Sequence, residues 1–202
     1  MGVVSDCDDA ESGLEKDWPQ FHFSQFTCAE ERWTAEDRAP VYYRMPDFDP
    51  RKDVVHHFCI WDAVHYNDTP PLRGDHRPNW AVFGEYLYLP PQRWLHNLEH
   101  GSIVMLYHPC ADSVEVDRLR GLIISCLYRR VITPYDRLTK DYPLALIGWG
   151  AKLLLNRVDE KAVVDFVKKH ARLAPEDLSK QGNASSYTNR GAFDYAITYT
   201  AA

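Results

Sequence analysis

Ser102-Ile103-Val104-Met105-Leu106-Tyr107, followed by Asp112-Ser113 and a run ending at Cys126, decides the architecture. The six residues are apolar and rich in β-branched side chains, which predicts a buried strand. Behind them Asp112 or Ser113 can cap a helix whose Val116, Leu119, Leu122, Ile123 and Cys126 recur at helical spacing. Arg130 to Pro134 and Leu144 to Trp149 read as further strands, and Lys161 to His170 as an amphipathic helix with Asp159 at its cap. The resulting β-α-β-β-α order predicts a single α+β domain, not a dinucleotide-binding sheet.

Upstream the pattern loosens. Val41-Tyr42-Tyr43-Arg44 reads as a short strand before the Met45-Pro46 break. Val54 to Val64 reads as a strand too apolar on both faces to be exposed. Asn67 to Pro78 is a loop by its prolines, Gly74 and acids. Trp94 to Gly101 suits one or two helical turns, with Gly101 as the C-terminal cap. Residues 1–20, acidic and poor in apolar side chains, read as a flexible arm, residues 21–175 as the domain, and residues 176–202 as an irregular tail.

The chain has 202 residues, and its net charge of −6 and pI near 5.8 argue against a nucleic-acid partner. No apolar run reaches the roughly 20 residues that a membrane helix needs. Cys7, Cys28, Cys59, Cys110 and Cys126 show no CxxC spacing, so a zinc ribbon and a thioredoxin motif are excluded. Composition leaves open whether they form two disulfides and a thiol or stay reduced. The start Met-Gly-Val-Val-Ser-Asp carries no secretory h-region. Sequons stand at Asn67 and Asn183.

Seven of the nine histidines fall between His56 and His108. Within that span His96-Asn97-Leu98-Glu99-His100 places two imidazoles one helical turn apart, close enough to meet one cation. Glu99 can orient a ligating ring or act as a base, which makes it the candidate catalytic residue. The letters match a zinc-peptidase signature, but that site needs a longer helix than Gly101 allows. The Pro-rich loop ends in Gly74-Asp75-His76-Arg77-Pro78, so His76 offers a third nitrogen from a stiff support. His65 is a possible fourth ligand. His56, His57 and His108 read as strand or turn residues, and His57 with Cys59 would form a dyad only if folding joined them. The competing reading of the whole cluster is hydrogen-bonded struts for the loop. No nucleophile elbow, Walker loop or dinucleotide fingerprint is present.

His65-Tyr66-Asn67 through Pro70-Pro71, Gly74 with His76-Arg77-Pro78, Gly84-Glu85-Tyr86 and Leu95 to Gly101 resemble the domain-of-unknown-function family 3105. The likeness covers about residues 55–175. Leu106 to Cys110, Cys126 and Leu146 to Gly150 look more like that family's animal branch. One departure is Arg73-Gly74-Asp75-His76, where the family usually has Ser-Gly-Pro-His. The resemblance implies a secreted or extracytoplasmic chain with its signal removed, and on that footing Cys110–Cys126 and Cys28–Cys59 are the expected disulfides, with Cys7 left over.

These readings converge on an extracytoplasmic metalloprotein with His76, His96 and His100 as ligands and His65 as a possible addition. Three imidazoles and no obvious thiolate favour copper, and oxidation of a small-molecule or peptide substrate, over zinc and hydrolysis. The alternatives are a non-catalytic ectodomain that binds a protein, and a metal-binding protein without turnover.

Overall fold

The computed structural model describes residues 6–18 and 23–178. A six-stranded mixed sheet has strands β1 (Val41–Arg44), β2 (Gly84–Glu85), β3 (Ile103–Tyr107), β4 (Arg130–Pro134), β5 (Leu144–Gly148) and β6 (Ala151–Leu155) in the order β1-β6-β5-β3-β4-β2. β3, β4 and β2 run parallel to one another, and β5, β6 and β1 are joined antiparallel. The helices are α1 (Pro91–Glu99), α2 (Ser113–Cys126) and α3 (Glu160–His170). The α+β single domain read from the sequence is thus the fold found.

The central strands are apolar in continuous runs because both faces of the sheet are covered. Ile103, Met105, Leu144, Leu146, Leu153 and Leu155 meet Val116, Leu119 and Ile123 of α2 and Val163, Phe166 and Val167 of α3. Val104, Leu106, Ala145 and Ile147 point the other way, toward Trp94, Leu95 and Leu98 of α1 and toward Leu72 and Trp149. Full burial of each such aliphatic side chain contributes roughly 1.5–3 kcal/mol. Both expected caps form: the Asp112 side chain accepts from Val114 N and that of Asp159 from Ala162 N.

Two glycines are steric necessities. Gly101 ends α1 at φ +79°, where a Cβ would lie 2.8 Å from Arg172 Cα. Gly150 makes the β5–β6 turn at φ +75°, and the Phe48 ring fills the space a side chain would need. That turn produces β6, which the Leu144–Trp149 reading stops short of.

Three expectations are corrected. Val54 to Val64 is not a strand: its only ladder contact is a single bridge between His57 and His76, and Val54 and Trp61 are exposed. Three of its backbone acceptors are taken instead by one side chain, since the Arg77 guanidinium donates to the carbonyls of Phe58, Cys59 and Asp62. The acidic stretch read as a free arm is anchored within residues 6–18. Asp8 pairs with Arg93 at 2.6 Å with both side chains fully buried, and Leu14 and Trp18 join the interior. Residues 1–5 and 19–22, and the expected tail beyond Leu178 with the sequon at Asn183, lie outside the described residues.

The disulfides are Cys7–Cys59 and Cys28–Cys110, and Cys126 is free and exposed. The expected Cys110–Cys126 and Cys28–Cys59 pairs are overturned because segments distant in sequence dock against each other. Arg32 and Trp33 hydrogen-bond to the carbonyls of Pro109 and Cys110, which lays the Cys28 segment against Cys110. Ile60 N likewise donates to Cys7 O at 3.1 Å, which brings Cys7 beside Cys59. A disulfide-bonded Cys59 cannot serve as half of a Cys/His dyad. Among the described residues no helix is long and apolar enough to cross a membrane.

Candidate metal centre

α1 carries His96 and Glu99, and the loop before it carries His76. Pro91 starts the helix, where its missing N–H is no loss, and all residues from Arg93 to Glu99 are buried. Asn97 fastens it to the adjoining loop by exchanging hydrogen bonds with the Ala81 backbone. His57 arrives from the other side on the irregular segment, held to His76 by Phe58 N→His76 O at 2.8 Å and His76 N→His56 O at 3.1 Å.

The result is a cluster of His57, His76, His96 and Glu99, whose ligand atoms all lie within 4.8 Å of one another. Glu99 Oε2 stands 3.0 Å from His76 Nε2, 3.4 Å from His57 Nε2 and 3.9 Å from His96 Nε2. The remaining nitrogens of two rings are fixed from outside. His76 Nδ1 faces Gly74 O at 2.9 Å, and His96 Nδ1 faces Arg77 O at 2.7 Å. A carbonyl oxygen only accepts, so each Nδ1 must carry the hydrogen. When neutral, both rings turn their Nε2 lone pairs toward the Glu99 carboxylate. Acceptor facing acceptor at this spacing is favourable only with a proton or a cation among them. This is also the outer hydrogen bonding that metal-ligating histidines make.

The electrostatics follow the geometry. Burial pushes Glu99 upward, but a proton shared from His57 or His76 to the carboxylate overrides burial and holds the carboxyl well below its usual range. His57 is raised, chiefly by its hydrogen bond to Glu99. His96 is lowered well below an ordinary imidazole by burial and by the neighbouring His76 and His100. Trp149 stands edge-on to His76 at 6.3 Å and donates its Nε1–H to Asp53, whose carboxylate also binds Arg73. The side of the cluster toward His57 is the one open to solvent, because His76, His96 and Glu99 are buried.

Of the residues singled out in the sequence, His76, His96 and Glu99 come together. His100 does not join their ligand atoms. It caps α1 beside His96, with ring centroids 4.7 Å apart, packs on Trp80 and reaches Glu176 at 3.5 Å. Burial pushes it down to about 4, which keeps it neutral. His65 is exposed just ahead of the Pro-rich loop, beside Tyr66 and Asp68, and is not among the clustered ligands. His57 takes the place the sequence reading gave to His100. Its signal was present only as the dense run of histidines, since a bridge to His76 across nineteen residues leaves no periodic mark.

The same stretch that builds the cluster is the stretch that related proteins share. The family model described as "Protein of unknown function (DUF3105)" matches residues 57–183, from the first clustered histidine through strands β2 to β6 and α3. No curated protein and no solved structure matches the chain. With more than half of its length matched, including all four clustered side chains, the chain belongs to the DUF3105 family.

Proposed function

We propose that this chain is an extracytoplasmic metalloenzyme whose metal is held by His57, His76, His96 and Glu99. The observation that carries the reading is the outward pinning of His76 Nδ1 and His96 Nδ1, which sets two Nε2 lone pairs on one carboxylate. Three imidazoles and one carboxylate suit copper, zinc or iron. Copper bound there would supply redox chemistry for oxygen-dependent oxidation, and zinc would supply a Lewis acid for hydrolysis.

The placement of Glu99 favours oxidation. Hydrolysis calls for a carboxylate free to act as a base, yet Glu99 is itself one of the four converging groups. Neighbouring acids are engaged elsewhere: Asp53 with Arg73 and Trp149, and Glu176 at His100. His57, the exposed member, borders the side from which substrate approaches, while His96 and Glu99 are held from behind by α1. Two disulfides fit an oxidising compartment. The Leu106 to Cys110 motif is our reason for assigning the chain to the family's animal branch, whose members enter the secretory pathway.

Elemental analysis after loading with copper, zinc or iron tests this, beside a His76→Ala/His96→Ala variant. The expected result is about one metal per chain, lost in the variant, with oxygen uptake in the copper form when ascorbate is supplied as the electron donor. A wild-type protein that retains no metal after all three loadings would contradict the reading and favour a protein-binding ectodomain.

A further inference from the structure

The four ligand side chains come from three pieces of chain, α1, the loop before it with His76, and the segment with His57. A short N-terminal strap joins α1 to the His57 segment. His96 and Glu99 belong to α1. His57 belongs to an irregular segment with no strand to hold it beyond one bridge. Two residues past His57, Cys59 is bonded to Cys7. The next residue after Cys7 is Asp8, whose carboxylate takes two hydrogen bonds from Arg93, at 2.6 and 2.8 Å, in full burial. Arg93 lies on α1 one turn before His96. A continuous path therefore runs from α1 through Arg93, Asp8, Cys7 and Cys59 to His57.

Arg77 reinforces the same path. Its guanidinium binds Asp17 at 2.6 and 2.8 Å and donates to the carbonyls of Phe58 and Cys59, while its own carbonyl holds His96 Nδ1. Asp17 and Asp8 both come from residues 6–18. That N-terminal segment touches none of the ligand atoms, yet it ties α1 to the His57 segment.

We infer that the Cys7–Cys59 disulfide completes the metal centre: intact, it holds His57 against Glu99, and reduced, it releases His57 and weakens metal binding. This rests on the metal reading above. Reduction takes two electrons and two protons from a dithiol, which itself becomes a disulfide, and leaves Cys7 and Cys59 as thiols. Metal retention would in this way depend on prior oxidation of the chain. The other bridge, Cys28–Cys110, ties the segment before β1 to the start of α2 and has no such path to His57.

Zinc affinity, measured by competition with a chromophoric chelator, tests the assignment in a Cys126→Ser background that prevents thiol exchange. Cys7→Ser/Cys59→Ser should bind zinc about 10–100-fold more weakly, the range typical of lost support behind a metal ligand. Cys28→Ser/Cys110→Ser should bind as the parent does. In a His57→Ala background, removing Cys7–Cys59 should cost nothing further, because the group it positions is gone. Should the Cys7→Ser/Cys59→Ser protein fail to fold by circular dichroism, brief dithiol reduction of the folded Cys28→Ser/Cys110→Ser protein, with both freed thiols alkylated and the dithiol removed before zinc is added, gives the same comparison. Equal zinc affinity with and without the bridge overturns the inference and leaves the metal centre standing. Absence of zinc, copper and iron binding in the oxidised parent overturns both, and a parent that takes copper but not zinc is read by the same comparison with copper.

Discussion

The residues from Ile103 to His170 and those from Asp53 to Gly101 solve the same problem of burial by different means. In the first region, strands and helices satisfy their own backbone, and the interior is Ile, Leu, Val, Met and Phe packed on both faces of a sheet. In the second, most of the chain is irregular, and fully buried charges do the holding: Arg93 with Asp8, and Arg77 with Asp17 and three backbone carbonyls. A buried guanidinium presents five donors in a fixed fork, so it can satisfy several loop acceptors at once where no ladder is available. Apolar packing yields a scaffold tolerant of small shape changes. Paired charges hold four ligand side chains at one point, at the cost of strong dependence on each partner.

That contrast can be broken most forcefully at Arg93. Arg93→Ala leaves the Asp8 carboxylate buried without its counter-charge, which should cost about 3–5 kcal/mol in urea melts. Leu106→Ala on β3 should cost about 2–5 kcal/mol, within reach of the same figure but by cavity formation. The two mechanisms separate in the double variants. Asp8→Val/Arg93→Met should recover most of the loss, because replacing a buried ion pair by packed apolar groups is near neutral. A loss under 1 kcal/mol in Arg93→Ala would mean that charge pairing does not hold the loop region.

The next effect tests the seam at the start of α2. Cys28→Ser/Cys110→Ser should lower stability by about 2–4 kcal/mol, while zinc affinity stays as in the parent. A smaller effect separates the sheet region from the centre by pH. Burial pushes His170 down to about 4, with its Nε2 on the Tyr42 hydroxyl at 3.0 Å. The unfolded chain binds this proton near the ordinary value of about 6.5, well before the folded chain does. Its contribution is therefore complete above about pH 6.5 and is lost as pH falls toward 4. His170→Gln should flatten the fall in melting temperature across that window, and an unchanged slope would remove His170 from the account. The smallest effect belongs to Cys126→Ser, exposed at the end of α2, which should change stability by no more than about 0.5 kcal/mol.

The same contrast governs what could be read in the sequence. Strands β3, β4 and β5 and helices α2 and α3 announce themselves through apolar runs, spacing and the caps Asp112 and Asp159, because local periodicity and tertiary burial agree there. β6 was hidden behind Gly150, whose need for positive φ only the neighbouring Phe48 reveals. His76, His96 and Glu99 were legible as metal-binding types at helical or loop-end spacing. His57 was not, since its place depends on Cys7, Asp8 and Arg77 meeting across long sequence distances. His100 misled for a related reason: at i+4 from His96 it shares a helix face, but it sits at the α1 terminus, where its ring turns to Trp80 and Glu176. The cysteine pairing failed likewise, as proximity in sequence gave no hint of the docking by Arg32 and Trp33.

X-ray absorption at the metal edge, on protein loaded with copper or zinc, tests the four-residue centre most directly. The account predicts three imidazoles and a carboxylate oxygen around one metal, two imidazoles in His57→Ala, and no shift in that count in His100→Ala. A spectrum that loses an imidazole in His100→Ala and is unchanged in His57→Ala would contradict it.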